Sequence, residues 1–484
     1  MTEVDAVVIG SGVNGLVAAA ELACAGWSVV LVERNPDIGG FIATEQRTLP
    51  GYLHDTYSSW HPLFVSGPAF ASLGELLRRH GLEYRNTDAW VTASVADDGR
   101  VTLAHRDPER TVAGFAHETD RIAYLAALSR LNDNIESIGG LMASELRSPA
   151  PFRHLAGLFR NGGRAGVEQW LRSVASSGRG YARTEFRGSE VDHLFAPWLL
   201  HAGLSPDHAT GGLMVPLLAA TLHGFGLPVV AGGSGCFLDA FRSLLGSLNV
   251  RVETSTPVER VLVERGRAVG VVAAGRVLRA RRAVLASVTP TALYGSLLQA
   301  GLLPRRPSVV VGQQYVLDPS RVPTGAAALW LQLQEVPFSP RGDAADELDT
   351  TQGWTPELVQ GYTDRVLQRL AQQAPDLHDR ILAVDVVTPP QLARYNPNSV
   401  EGDPYGGSLE LEQSFLWRPL PSSGRHATTV PGLWHIGAST HPGPGLGGSS
   451  GHMVATALIK QSRRTRRFGL STTRQGSGRG RRGK

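Results

Sequence analysis

The chain has 484 residues, 42% hydrophobic and 19% charged, which suits a globular protein too long for one simple core and predicts two domains. Its two cysteines, Cys24 and Cys236, require no disulfide, and the lack of a C-x-x-x-x-C spacing excludes a disulfide-reductase mechanism. The net charge of +4 is local: Arg463 to Lys484 carries eight Arg, one Lys and no acid, so the rest of the chain is mildly acidic.

Asp5-Ala6-Val7-Val8-Ile9 reads as a strand buried on both faces, because β-branched side chains pack well on a pleated surface. It enters Gly10-Ser11-Gly12-Val13-Asn14-Gly15. Gly10 allows the tight turn, Gly12 lets backbone approach a diphosphate, and Gly15 lets the next helix pack closely on the strand. That helix begins near Asn14, and its unpaired N–H groups and positive dipole end favour phosphate. Gly26 ends it, and Ser28–Val32 reads as a second strand. Glu33 follows 18 residues after Gly15, where a carboxylate accepts both ribose hydroxyls of an adenosine and repels a 2′-phosphate. An NADP site is therefore not expected.

Residues 66–224 read as a mostly helical insert. Within it Phe152, Leu155, Leu158 and Phe159 share a helical face beside Arg153, Arg160 and Arg164. Such a helix either lies on anionic lipid or turns its apolar face to the core. The segment 212–220 lines a pocket or packs inside. From 225 to 295 the pattern returns to strands: a helix from Phe237 to Leu248, a strand over 250–253, and a hairpin turning at Arg265-Gly266-Arg267. Residues 296–425 form a mixed insert with a helix near Glu357–Ala374. The strand Leu433–Ile436 then enters a second glycine-rich turn, Gly437 to Gly448, and Ser449 or Ser450 caps a helix through Ile459. A helix start there can stabilise negative charge developing on a planar electron acceptor. The Gly-, Ser- and Arg-rich tail, 467–484, predicts disorder; it is a solvated extension or touches nucleic acid or anionic lipid.

The stretch Arg34-Asn35-Pro36-Asp37-Ile38-Gly39-Gly40 resembles an extension of FAD enzymes of the glutathione-reductase and amine-oxidase type. With the closing turn, residues 4–60, 225–295 and 430–460 resemble the bacterial phytoene desaturase-like family of FAD-dependent oxidoreductases. The resemblance implies an α/β fold: a Rossmann-like FAD-binding domain from 1–65, 225–295 and 426–466, and a discontinuous α+β substrate domain from 66–224 and 296–425. It implies noncovalent FAD and hydride removal from an activated C–H of a hydrophobic or conjugated small molecule, in secondary metabolism. Electrons would pass to dioxygen, a quinone or another acceptor.

Carried over by motif, Gly10, Gly12, Asn14, Gly15, Glu33, Arg34, Gly39 and Gly40 hold the adenosine diphosphate end, and the backbone of Val258 meets adenine. Gly437, Ala438, Gly447 and Gly448 match the flavin end, where Ala438 replaces an Asp common in related flavoproteins. His54 and His441 are candidates to move a proton, with a structural role as the alternative for each. Tyr57, Trp60 and His61 are expected to face substrate. An isomerase or cyclase using FAD without net redox change, and a non-catalytic carrier, are the competing readings. No metal cluster, specific nucleic-acid partner, signal peptide or transmembrane run is expected, so the reading is cytoplasmic, with peripheral membrane contact as an option.

Overall fold

The structure is a computed structural model describing residues 2–145, 148–264, 267–287, 303–333, 335–408, 418, 426–428 and 430–472. Its organising element is a seven-stranded sheet. Thr2–Ile9 lies at the centre, parallel to Val29–Val32 on one side and Arg276–Ser287 on the other. Arg251–Glu253 extends the first side in parallel. Arg276–Ser287 is long enough to pair twice on its outer edge: antiparallel with Arg267–Ala273 at its start, and parallel with Leu433–Ile436 at its end. Val258–Glu264 pairs antiparallel with Arg267–Ala273, as the hairpin pattern predicts, although turn residues 265–266 lie outside the described residues.

Alternation along the central strand explains the layers. Ala6 and Val8 enter one core with the helices Val13–Cys24, Gly235–Ser247 and Ser449–Thr472, through Leu16, Phe237, Phe241, Val454 and Leu458. Val7 points to the opposite face, where Val30, Val284, Val271 and Ala273 pack. Both faces are covered, as a largely parallel sheet requires.

Beyond the sheet, helices from Glu118–Asn132, Glu190–His201 and Gly211–Phe225 enclose a second core around Tyr124, Phe195, Leu199 and Leu222. The strand pair Val309–Gly312 and Trp330–Leu333 packs with the helix Pro356–Ala371 in a third cluster. The final helix runs to Thr472, so residues 467–472 are helical where tail was expected, continuing the helix that starts at Ser449. Residues 473–484 of the expected tail lie outside the described residues.

Candidate functional site

The two glycine-rich turns meet. Gly437 N–H donates to Ser450 Oγ at 2.9 Å, and Ser450 Oγ–H donates to Asn14 Oδ1 at 2.8 Å. The helices behind them touch so closely that a Cβ on Gly451 would lie 2.1 Å from the Asn14 carbonyl oxygen. Gly448, with φ +63°, likewise sits against Val17. The chain's ends are therefore locked together at one place by positions 14, 437, 448, 450 and 451.

The first turn has two kinds of glycine. A Cβ on Gly15 would lie 2.0 Å from the Gly10 carbonyl oxygen, so protein backbone excludes any larger residue. Gly12 differs: its φ is −59°, and a Cβ there would meet no protein atom within 4 Å. No side chain caps the adjoining helix, and its first turn carries no acid, leaving the amides open to an anion. Gly12, Asn14, Gly39 and Gly40 border the same cavity. Open amides beside an unfilled glycine cradle fit a diphosphate.

Glu33 organises the adenosine end. Its Oε2 accepts from Ser11 N–H at 2.8 Å and Ser11 Oγ–H at 2.7 Å, and its Oε1 accepts from Asn35 N–H at 2.9 Å. The Glu33 carbonyl accepts from Thr256 N–H at 2.8 Å, which brings Val258 to this strand end. Arg34 is exposed next to it. These residues can hold the adenosine of a dinucleotide whose diphosphate lies at Gly12.

From Gly12 and Gly40 the cavity passes Gly437 and Ala438 and opens into an apolar compartment, with a total volume of about 1790 Å³. That exceeds the roughly 300–1,000 Å³ of an ordinary small-molecule pocket, so it has room for a dinucleotide and a second molecule. Two aromatic groups line it. Phe41 and Tyr57 form one, their ring centroids 5.4 Å apart, with Tyr395, which does not border the cavity, packed on Tyr57 at 4.4 Å. Trp60 meets Trp330 at 5.5 Å and Trp198 at 6.0 Å. Leu213, Met214, Leu217 and Leu218 form a wall from the helix Gly211–Phe225, so segment 212–220 both lines the cavity and packs inside.

A buried ionic network holds the Tyr57–Trp60 loop. Asp55 accepts from Thr44 Oγ1 at 2.7 Å, Ser59 Oγ at 2.8 Å and Ser234 N–H at 2.7 Å, and pairs with Arg321. Arg321 also pairs with Asp318 at 3.2 Å; all three residues are nearly inaccessible. At the other turn, Arg418 donates to the carbonyls of Tyr405 at 2.8 Å and Ala438 at 3.0 Å, clamping the flavin-end turn to the loop at 405–406. Burial draws its pKa down to about 10.

The histidines separate clearly. His54 lines the cavity, its Nε2 2.9 Å from Thr48 Oγ1, and burial lowers its pKa. His201 lines it too, edge-on to Trp60 and Trp198. Burial lowers its pKa to about 4, against an opposing hydrogen bond with Gln332. Two expectations need correction. His61 is fully buried under Tyr84 and Phe237, with Nδ1 2.9 Å from the Tyr84 hydroxyl, because its helix start turns it into the sheet-side core; it faces no substrate. Burial sets its pKa near 4. His441 also stands off the cavity: its carbonyl bonds to His426 Nε2 at 3.0 Å, and burial lowers its pKa to about 4, with the neighbouring His426 adding to the shift. The turn presents Ala438, Ser439 and Pro442 instead. Gly10, Gly15, Gly447 and Gly448 shape the turns from behind rather than line the cavity. No sequence motif marks Phe41, Trp198, His201, Trp330 or Arg321; all but Phe41 lie in the inserts.

A family model described as flavin-containing amine oxidoreductase matches residues 14–311. The chain is 23% identical over 558 aligned residues to mouse pyridine nucleotide-disulfide oxidoreductase domain-containing protein 2, covering 95% of this chain and 94% of the relative. It is 25% identical to hydroxyneurosporene desaturase of Cereibacter sphaeroides, covering 94% of this chain and 97% of that one. Among solved structures, cyclohexylamine oxidase from Brevibacterium oxydans shares the fold, with a TM-score of 0.55, 18% identity, and coverage of 95% and 99%.

Proposed function

This chain belongs to the flavin-containing amine oxidoreductase family, and we propose that it removes hydride from an activated C–H of an apolar, elongated small molecule. It is an FAD-dependent oxidoreductase with a Rossmann-like α/β fold and a phytoene desaturase-like sequence. The observation that carries the proposal is the single cavity joining the diphosphate turn, the flavin-end turn and an apolar compartment.

FAD bound there supplies the hydride acceptor. The chain's own residues do the rest. Gly12, Asn14, Gly39 and Gly40 border the cavity and receive the diphosphate, and Glu33, set behind the first turn and bonded to Ser11, takes the ribose. Gly437 and Ala438, at the start of the turn into the last helix, present backbone to the ring end without a carboxylate. Trp60, Trp198, Trp330 and the leucines of the helix Gly211–Phe225 orient an apolar chain and exclude water. Any proton that leaves with the hydride has His54 as its candidate acceptor on the cavity wall; burial weakens both cavity histidines as bases, and His201, its pKa drawn down to about 4, is a poor one.

The test is anaerobic mixing of FAD-loaded protein with a conjugated polyene, a cyclic terpene and a primary amine, followed at the flavin absorption band. Bleaching by the polyene or terpene is expected. Bleaching by the amine alone overturns the substrate reading. Turnover that needs reduced flavin and consumes no electrons replaces it with isomerase chemistry.

A further inference from the structure

We propose that the outer face of the helix Ala150–Ala175, on the N-terminal side of Gly163, docks on an anionic lipid surface. The sequence places Phe152, Leu155, Ala156 and Phe159 at i, i+3, i+4 and i+7, a single stripe along a helix. The structure turns this stripe outward: Phe152 is 72%, Leu155 45% and Phe159 54% exposed. The core-facing side is already used, since Leu158 is buried with Leu131 and Ile138. An inward-packing helix, the alternative at sequence level, accounts for Leu158 but not for two exposed phenylalanines. The stripe ends at Gly163, where φ is 59° and the helix breaks.

Charge selects the occupant. Arg153 and Arg160 lie about a quarter turn from the stripe, and Arg164 follows just beyond the break at Gly163. None of the three is ion-paired among the described residues, and the helix carries four Arg against one Glu. An apolar stripe one helix wide beside an uncompensated basic ridge matches the boundary between acyl chains and anionic headgroups. A second copy seated on the stripe would bring two such ridges to one seam, with like charges opposed. No helix among the described residues is long and apolar enough to cross a membrane, so the contact is peripheral. Met142 and Leu217 pack against the cluster of Leu158 and also line the large cavity. The cluster behind the docked helix thus borders the apolar compartment.

The experiment is flotation of the full-length FAD-loaded protein with vesicles of phosphatidylcholine alone or mixed with phosphatidylglycerol. Binding only to the mixed vesicles is expected, weakened by salt. The double variant Phe152→Ser, Phe159→Ser should bind about tenfold more weakly while flavin absorbance stays unchanged, because both side chains are exposed. A chain ending at Thr472 should retain binding. Absence of flotation with mixed vesicles, wild-type flotation by the double variant, or loss of flotation on removing 473–484 alone each overturns the proposal. A wild-type dimer that the double variant dissociates, without any vesicle binding, assigns the face to a second copy instead.

Discussion

The two ends of the cavity are built on opposite principles. At the nucleotide end the working surface is backbone: Gly12, Gly39 and Gly40 present main chain, and the neighbouring helix offers uncapped amides. At the far end it is side chain: Trp198 and Trp330 meet Trp60, which with Tyr57 sits on a loop fastened through Asp55 and Arg321. A diphosphate needs many short-range donors and no steric obstacle, which favours missing side chains. An apolar substrate needs area and shape, which favours large ones. The nucleotide end therefore tolerates almost no enlargement, and the far end depends on long-range ties that keep bulky groups in place.

The largest expected break in this contrast is Arg321→Met. It leaves Asp55 buried without a cation and strips Asp318 of one of its two, Arg85 remaining at 3.0 Å, which costs roughly 3–5 kcal/mol. Chemical denaturation should show that loss, and the effect should fall on the apoprotein as much as on the FAD-bound form.

Acid should act next. His61 is neutral in the fold, with a pKa near 4 against an ordinary value of 6.5. The unfolded chain binds its proton more readily, so its contribution is complete above pH 6.5 and is lost as pH falls toward 4. It amounts to roughly 3 kcal/mol at most. The melting temperature should decline across that window, and less steeply in His61→Gln.

The sharpest contrast, ending in the smallest effect on the fold, comes from two glycines three positions apart. Gly15→Ala drives a Cβ into the Gly10 carbonyl and should cost about 3 kcal/mol whether or not FAD is present. Gly12→Ala meets no protein atom, so apoprotein stability should change by no more than about 0.5 kcal/mol. Its FAD dissociation constant, read by fluorescence titration, should rise about tenfold or more, or about 1.4 kcal/mol. Equal FAD affinity in Gly12→Ala and the wild type would remove the diphosphate from this turn.

What the amino-acid order alone determined is the local chemistry of the nucleotide end. A β-branched run, glycines at 10, 12 and 15, and the acid at 33 act over short stretches of chain, where backbone sterics and strand periodicity leave few alternatives. The closing turn was legible for the same reason, since its glycines and Ser449–Ser450 announce a turn into a helix. Tertiary structure decided what those turns face. Arg321 finds Asp55 across 266 positions, Trp330 reaches Trp60, and His61 turns inward to Tyr84 while its neighbour Trp60 turns to the cavity. Neither spacing nor residue type distinguishes His61 from His54, or Phe159 from Leu158. Burial is a property of the assembled surfaces, and only packing of distant segments settles which side of each element remains open.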